Sequence, residues 1–288
     1  MKKLWITGAD GFLAQRAAAY YADRYMVTPL NHGALDITDA DAVLQLFTQG
    51  RPDYVLHCAA VSDTGYSQQH PATSEAINLY GTEHVAKACA ACGAKLVYMS
   101  SDQVYNGCRV QGPLPENIAL APQNVYGRHK LAAECAVAAL LPGAVGLRLS
   151  WMYDLPDSRY RLNGNLLVNL HRAAETGTPI RAAVREHRGI SNVWAVIARL
   201  EDCFALPGGI YNFGSGNRHN SYETFLYAAR QMMLPNPEVL VLADAVRFPE
   251  FPRNLAMDGT KLAAAGITFP DTWQGIAEAL HAKSSENH

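Results

Sequence analysis

An α/β fold built on a doubly wound, mostly parallel sheet is predicted by three features of the chain. Short apolar runs alternate with helical stretches through the first half. The runs are largely continuous rather than alternating, as suits strands covered on both faces. A glycine-spaced turn, Gly8 to Gly11, joins the first run to the first helix. Composition suits such a core: 49% of the 288 residues are hydrophobic and 17% are charged, which excludes a disordered chain. A chain this long buries roughly 75% of its unfolded surface and needs no metal or cross-link to hold a core.

Leu4–Thr7, stopped by Gly8, reads as the first strand, and Ala-rich Phe12–Asp23 as the first helix. Met26–Leu30 is the next strand. Thr38 with Asp41 three residues on predicts a capping box, and Ala40, Val43, Leu44 and Phe47 then recur at helical spacing. Arg51-Pro52-Asp53 breaks that helix before a strand at Tyr54–Cys58. A long helix over Ala72–Cys92, a strand at Lys95–Ser100, a helix over Gln123–Leu141 and a strand at Val145–Ser150 complete the alternation. Each crossover is expected to be right-handed.

The pattern loosens after Trp151. Leu155–Gly164 reads as a loop, Asn165–Thr176 as a helix, Gly209–Phe213 as a strand and Tyr222–Met233 as a helix. Pro235–Pro252 carries four prolines and reads as irregular or extended. Gln274–Ala282 closes the chain as a helix, with a polar tail from Lys283 to His288 expected to fray. The reading divides the chain at 151: a larger first part, and a smaller part over 152–288 with segments near 209–230 returning to the main sheet.

Charge excludes some partners. Lys+Arg 24 against Asp+Glu 26 gives a net charge of -2, so nothing points to nucleic acid or an anionic membrane. No apolar run approaches the roughly 18 residues that span a bilayer. Leu4–Gly8 is too short for the apolar core of an export signal, so the expectation is a cytoplasmic protein with its six cysteines reduced. Cys89-x-x-Cys92 sits in an Ala-rich helical stretch without a partner pair; two small helix residues explain it better than a metal, and no metal is expected.

The turn carries the first chemistry. A dinucleotide fingerprint needs glycine in the tight turn, glycine where backbone meets pyrophosphate, and a small residue for helix–strand packing. Gly8, Gly11 and Ala14 fill those places, and Asp10, Phe12 and Leu13 complete the loop. The anion would rest on free N–H groups at the helix start. The first part is therefore expected to bind a dinucleotide and the second to hold a substrate. An acid at the end of the second strand would select NADH and a basic residue NADPH. Leu30-Asn31-His32-Gly33 offers neither an acid nor an Arg. His32 could offer partial positive charge, although a plain surface histidine explains it better; the choice stays open, with a slight lean to NADPH.

Tyr126 and Lys130, four apart on a helix, share one face. A tyrosine with reference pKa about 10 needs help to exchange its proton near pH 7, and a neighbouring ammonium supplies part of the roughly 4 kcal/mol. A Tyr-x-x-x-Lys pair alone is common by chance. Here Met99, Ser100 and Ser101 end the fourth strand, where a hydroxyl would enter the crevice beyond the sheet's carboxyl edge. Hydroxyl, phenol and amine together suit proton transfer to a carbonyl.

Gly8–Ala14, Asp36-Ile37-Thr38-Asp39, His57-Cys58-Ala59-Ala60, Ser100-Ser101-Asp102, Tyr126–Lys130 and Arg148-Leu149-Ser150-Trp151 together resemble the extended short-chain dehydrogenase/reductases. Within them, Pro252–Asp258 is similar to a C-terminal stretch of the subfamily that reduces nucleotide-linked 4-keto-6-deoxy sugars. The resemblance is collinear over nearly the whole chain. It implies that Tyr126 protonates the sugar's C4 keto oxygen, that Lys130 holds the nicotinamide ribose and tunes Tyr126, and that Ser101 hydrogen-bonds the substrate oxygen. Asp102 and Trp151 would contact the sugar. Asn31, Asp36, Ile37, Ala59, Ala60, Val61 and Met99 would line the cofactor. The chain departs from the subfamily at Ser101, where threonine is usual, at Phe12-Leu13-Ala14, at Ser62–His70 and at Gly189-Ile190-Ser191-Asn192. The first reading is an NAD(P)H-dependent reductase of such a nucleotide sugar. A sugar-nucleotide epimerase or another reductase of the superfamily is the second. A non-enzymatic, cofactor-binding regulatory subunit is the third. The oligomeric state is open, with a homodimer among the options.

Overall fold

The computed structural model describes residues 1–286, with side chains through residue 282. The chain divides into two compact units. The first comprises Met1–Asn106, Ala119–Leu149 and Ile197–Tyr211. The second comprises Gly107–Ile118, Ser150–Val196 and the chain from Asn212.

The first unit contains β1 (Lys3–Thr7), α1 (Phe12–Tyr21), β2 (Met26–Leu30), α2 (Ala40–Gly50), β3 (Tyr54–His57), α3 (Thr64–Gln69), α4 (Pro71–Glu75), α5 (Thr82–Cys92), β4 (Lys95–Ser101), α6 (Val125–Leu140) and β5 (Val145–Leu149). The elements β6 (Trp151–Tyr153), α7 (Leu166–Thr176), β7 (Ile180–Ala183), β8 (Glu186–Arg188), β9 (Ile190–Asn192), α8 (Val193–Leu200), β10 (Gly209–Phe213), α9 (Ser221–Gln231), α10 (Pro237–Leu240), β11 (Val241–Asp244), β12 (Arg253–Leu255), α11 (Thr260–Ala264) and α12 (Thr272–Glu286) follow.

The main sheet has the order β10-β5-β4-β3-β1-β2, and β1 to β5 run parallel. This is the Rossmann-like doubly wound sheet that the alternation of elements predicts. The order reverses between β1 and β3, so the carboxyl ends of these two strands flank the switch point where such sheets take ligands. The core on one face gathers Trp5, Val55 and Leu96 from the strands with Val43, Phe47 and Val85 from the helices. Trp5 meets Phe47 edge to face at 5.0 Å. Each such side chain contributes about 1.5–3 kcal/mol when fully buried.

Three local details differ from the sequence reading. Asp39, not Thr38, caps α2 by accepting from Ala42 N at 3.0 Å, because Thr38 spends its hydroxyl on Asp36 Oδ1 at 2.7 Å. The helix expected over 72–92 is interrupted by a π turn at Ala76–Gly81 between α4 and α5. The closing helix runs through Glu286 and so includes part of the expected tail; Asn287 and His288 lie outside the described residues.

The second unit pairs its strands in parallel twos: β11 with β7, β12 with β8 and β6 with β9. Its core includes Tyr153, Leu166, Leu170, Ala228, Val241 and Ile276. Strands of three or four residues are too short for a period to show, which is why the sequence gives no sign of β7, β8 and β9. The four prolines of 235–252 conceal α10 and β11. Among the described residues, no helix is long and apolar enough to cross a membrane.

Gly127 fixes the approach of α6 to the 3-10 turn Asp102–Tyr105 that follows β4. A Cβ there would overlap the carbonyl oxygen of Gln103 and stand 2.9 Å from Pro122 Cβ. Backbone cannot move aside as a flexible side chain can. Gly127→Ala is expected to lose about 1–3 kcal/mol of stability in urea unfolding, despite the better helix propensity of alanine.

Candidate active site

At the switch point two backbone turns come together. Gly8 has φ +67°, and a Cβ on it would lie 2.6 Å from Ala59 Cα and 2.7 Å from Ala59 N. Both its conformation and its space demand glycine. Gly11 N–H donates to Gly8 O at 2.8 Å and closes the turn. Among the described residues no side chain caps the start of α1, and its first turn holds no acid. That leaves N–H groups and a positive helix end for an anion. Phe12 and Leu13 are buried and seat the helix, whereas Asp10 is exposed. Ala59, Ala60 and Val61 are half-buried in the turn after β3. The surroundings fit a dinucleotide: glycine where a side chain would collide, and an open helix terminus.

The residues after β2 are partly committed to their own turn. Asn31 Oδ1 accepts from Ala34 N at 2.9 Å. Asp36 Oδ1 accepts from Thr38 N at 2.9 Å and from the Thr38 hydroxyl, and these bonds hold the carboxyl below the ordinary carboxylate range. Ile37 is buried, and its carbonyl accepts from His84 Nδ1 at 2.9 Å.

Ser101, Tyr126 and Lys130 converge. Ser101 ends β4 and receives Gln103 N on its hydroxyl at 3.2 Å. Asn124 caps α6 by accepting from Gly127 N at 2.6 Å, which sets the first turn that carries Tyr126. Tyr126 is buried; burial pushes its phenol up, its hydrogen bond with Ser101 pulls it down, and the nearby charge of Asp102 adds to the rise. Lys130 is buried, donates to Met99 O at 2.9 Å and lies 5.8 Å from the Tyr126 ring centre. Burial lowers its ammonium to about 8, against the smaller opposing pulls of Cys58 and Glu134.

One turn beyond Lys130 on α6 stands Glu134, paired with Arg148 of β5. Arg148 donates to Glu134 Oε2 at 2.7 Å, to Oε1 at 3.0 Å and to the Tyr105 hydroxyl at 2.8 Å. Ser100 also donates to Glu134. Burial works against the Arg148 charge, but Glu134 outweighs it and keeps the guanidinium protonated.

Asp102 is buried beside Ser101, which donates to its Oδ1 at 3.2 Å. Gln103 spans Asp102 and the helix cap: Nε2 donates to Asp102 Oδ1 at 3.1 Å, and Oε1 accepts from Asn124 Nδ2 at 2.9 Å. Trp151 lies in the second unit, half-buried in β6, with the Arg188 guanidinium 5.4 Å from its ring centre. In that unit Ser191 joins Ser150 Oγ at 2.6 Å, and Asn192 starts α8 by accepting from Trp194 N at 2.8 Å. Asn254 ties down the 107–118 segment through Val110 O at 2.9 Å and Gly112 O at 2.7 Å. Cys92 merely donates to Cys89 O within α5, as two plain helix residues do.

Asn124 and Asn78 were missed by sequence reasoning. Asn124 carried a usable signal, a capping residue just ahead of an apolar helical run. Asn78, whose side chain accepts from Val61 N and donates to Val61 O at 3.0 Å each, carried none, because it reaches Val61 from the π turn.

A parallel sheet with a glycine turn at its switch point, and Tyr126 and Lys130 on one helix face beside a strand-end serine, define an extended short-chain dehydrogenase/reductase. The chain belongs to the RmlD substrate binding domain family, whose model matches residues 1–285. It is 30% identical over 275 residues to a dTDP-4-dehydrorhamnose reductase of Streptomyces griseus, covering 91% of this chain and 87% of that one. It is 36% identical over 153 residues to one of Mycolicibacterium smegmatis, 53% of this chain and 46% of that protein; in such curated relatives the chain matches about half their length. In structure it is similar to dTDP-4-dehydrorhamnose reductase of Bacillus anthracis in complex with NADP, with TM-score 0.86 and 23% identity over 99% of this chain and 100% of that chain.

The lysine gives a stability test. The unfolded chain keeps its proton up to about 10.5, whereas the folded chain releases it near 8. Between those limits the unfolded state binds more protons, so stability rises with pH. In the cofactor-free protein, wild type should gain about 2 kcal/mol over Lys130→Met between pH 7.5 and 10. A difference that stays flat with pH would assign Lys130 an ordinary pKa.

Proposed function

We propose that this protein is an NAD(P)H-dependent reductase that acts on the 4-keto group of a nucleotide-linked 6-deoxy sugar, in the manner named for its dTDP-4-dehydrorhamnose reductase relatives. The convergence of Ser101, Tyr126 and Lys130 carries the reading. Burial keeps the Tyr126 phenol protonated at neutral pH, which is the form a proton donor to a carbonyl oxygen needs. In this reading Ser101 and the Lys130 ammonium would stabilise the negative charge that develops on the substrate oxygen and the phenol. Glu134 of α6 is paired with Arg148 of β5 and accepts from Ser100 of β4, which ties the helix carrying Tyr126 and Lys130 to both strands.

The nicotinamide would supply the hydride. Gly8, Gly11 and the start of α1 would receive the pyrophosphate, with Asp10, Phe12 and Leu13 around it. Asn31, Asp36, Ile37, Ala59, Ala60 and Val61 would line the adenosine side, and Met99 and Lys130 the nicotinamide side. NADPH is the preferred cofactor: no acid ends β2 to repel a 2′-phosphate, and a structural neighbour is described with NADP. Asp102 would bond the sugar hydroxyls and Trp151 would pack on the sugar.

Tyr126→Phe keeps the ring and removes the proton. Turnover of a 4-keto-6-deoxy sugar nucleotide, followed as NADPH oxidation, should fall at least about 100-fold while cofactor affinity stays near normal. Unchanged turnover would remove Tyr126 from the reaction.

Gln103 limits the reaction class. An amide has no basic site near pH 7, and both ends of this one are engaged by Asp102 and Asn124. It cannot take the C5 proton that elimination of water from a hexose requires. The protein incubated with dTDP-glucose and NAD should therefore give no 4-keto-6-deoxy product; efficient formation of it would overturn the reductase reading.

A further inference from the structure

A hydrogen-bond chain begins and ends on the turn after β3. Thr7, the last residue of β1, accepts the N–H groups of Cys58 and Ala59 on its hydroxyl oxygen at 3.2 and 3.3 Å. An oxygen that accepts twice has one proton left to give, and His57 Nδ1 lies 2.7 Å away. Nδ1 is then the acceptor, and the ring proton sits on Nε2, which donates to Thr82 Oγ1 at 3.1 Å. Thr82 donates its own proton to Asn78 O at 2.9 Å. The Asn78 side chain closes the circuit on Val61, accepting from its N–H at 3.0 Å and donating to its carbonyl at 3.0 Å.

The direction is forced at every link. Thr7, His57, Asn78 and Thr82 are all buried, so water does not compete for these bonds. Asn78 reaches Val61 from the π turn, and Thr82 is the residue that follows that turn. Wide helical turns of this kind recur at functional sites. Burial, with a smaller push from the Lys130 ammonium, lowers the imidazole to about 3, so the ring is neutral over the working pH range and the Thr7 contacts select its tautomer. Cys58 and Ala59 are held at one end of the turn and Val61 at the other, with Ala60 between them. The same turn presses on Gly8.

We propose that His57 is a positioning residue for cofactor binding: its Nε2–H tautomer fixes a one-way hydrogen-bond chain that holds Ala59–Val61 in the shape that receives the dinucleotide. This rests on the cofactor reading given above. It adds a residue that does not itself touch the cofactor, and it assigns that residue a protonation state.

Thr82 offers the cleanest test, because valine copies its shape while removing both the acceptor for His57 and the donor to Asn78. Thr82→Val should weaken NADPH binding about tenfold or more by fluorescence titration, while Thr82→Ser, which keeps the hydroxyl, stays within about twofold of wild type. Both titrations are made on protein shown to be folded by near-ultraviolet circular dichroism. A folded valine variant that binds as wild type does overturns the proposal. Should the valine variant not fold, the wild-type imidazole decides: long-range ¹H–¹⁵N spectra are expected to show His57 as the neutral Nε2–H tautomer from pH 5.5 to 8. An Nδ1–H tautomer, or an imidazolium at pH 6, overturns it. Wild-type protein that binds neither NADPH nor NADH sinks the cofactor reading and this proposal together, whereas equal binding by wild type and Thr82→Val sinks this proposal alone.

Discussion

The turn after β1 and the turn after β3 touch at Gly8 and Ala59, and the geometry of the switch point depends on that contact. A single methyl group on Gly8 would separate the two turns, because it would stand 2.6 Å from the Ala59 backbone. The contact sets where α1 begins and therefore where its free N–H groups point. It also sets where β3 ends, which fixes His57 against Thr7. Backbone packed this closely leaves no slack, so the strand order, the glycine and the buried polar chain behind it have to agree.

A second constraint lies deeper. Lys130 carries an ammonium into a buried position. Burial lowers it to about 8 even with Cys58 and the Glu134 carboxylate one turn away pulling the other way. Glu134 is itself neutralised by a two-pronged Arg148, so the fold has placed an ion pair in the core beside this amine. Such pairs contribute little net stability, but removing one partner leaves an uncompensated buried charge. Here the pair links α6 to β5 and holds the helix face that carries Tyr126 and Lys130.

Much of the first unit was legible in the sequence because most of its strands run five to seven residues and α1, α2, α5 and α6 run ten or more, long enough for periodicity to show. Gly8 and Gly11 were legible because a backbone requirement leaves few choices of residue. Tyr126 and Lys130 were legible because i, i+4 spacing on a helix is a geometric statement. The Glu134–Arg148 pair was not, since partners on different elements leave no pattern. Asn78 was hidden for a sharper reason: helical spacing counted at 3.6 residues per turn misplaces a side chain on a π turn. In the second unit, strands of three or four residues fall below the length at which alternation means anything. The motif at Pro252–Asp258 was visible, but the sequence could not tell that Asn254 works as a clamp on the 107–118 segment.

The order of the main sheet also bears on how the chain comes off the ribosome. Strand β5 ends at Leu149, but its outer neighbour β10 begins only at Gly209. Between those moments β5 is an edge strand with every residue buried in the finished protein and no partner on one side. Each unit is likewise assembled from three separate stretches of chain, so neither is complete when its first stretch has been made. An apolar edge left open while some sixty residues are synthesised, at roughly 5–20 residues per second, is a surface that other nascent chains can pair with for several seconds. Maturation of this protein therefore carries a built-in interval of exposure, set by topology and translation speed, during which holdase chaperones have a defined strand to cover.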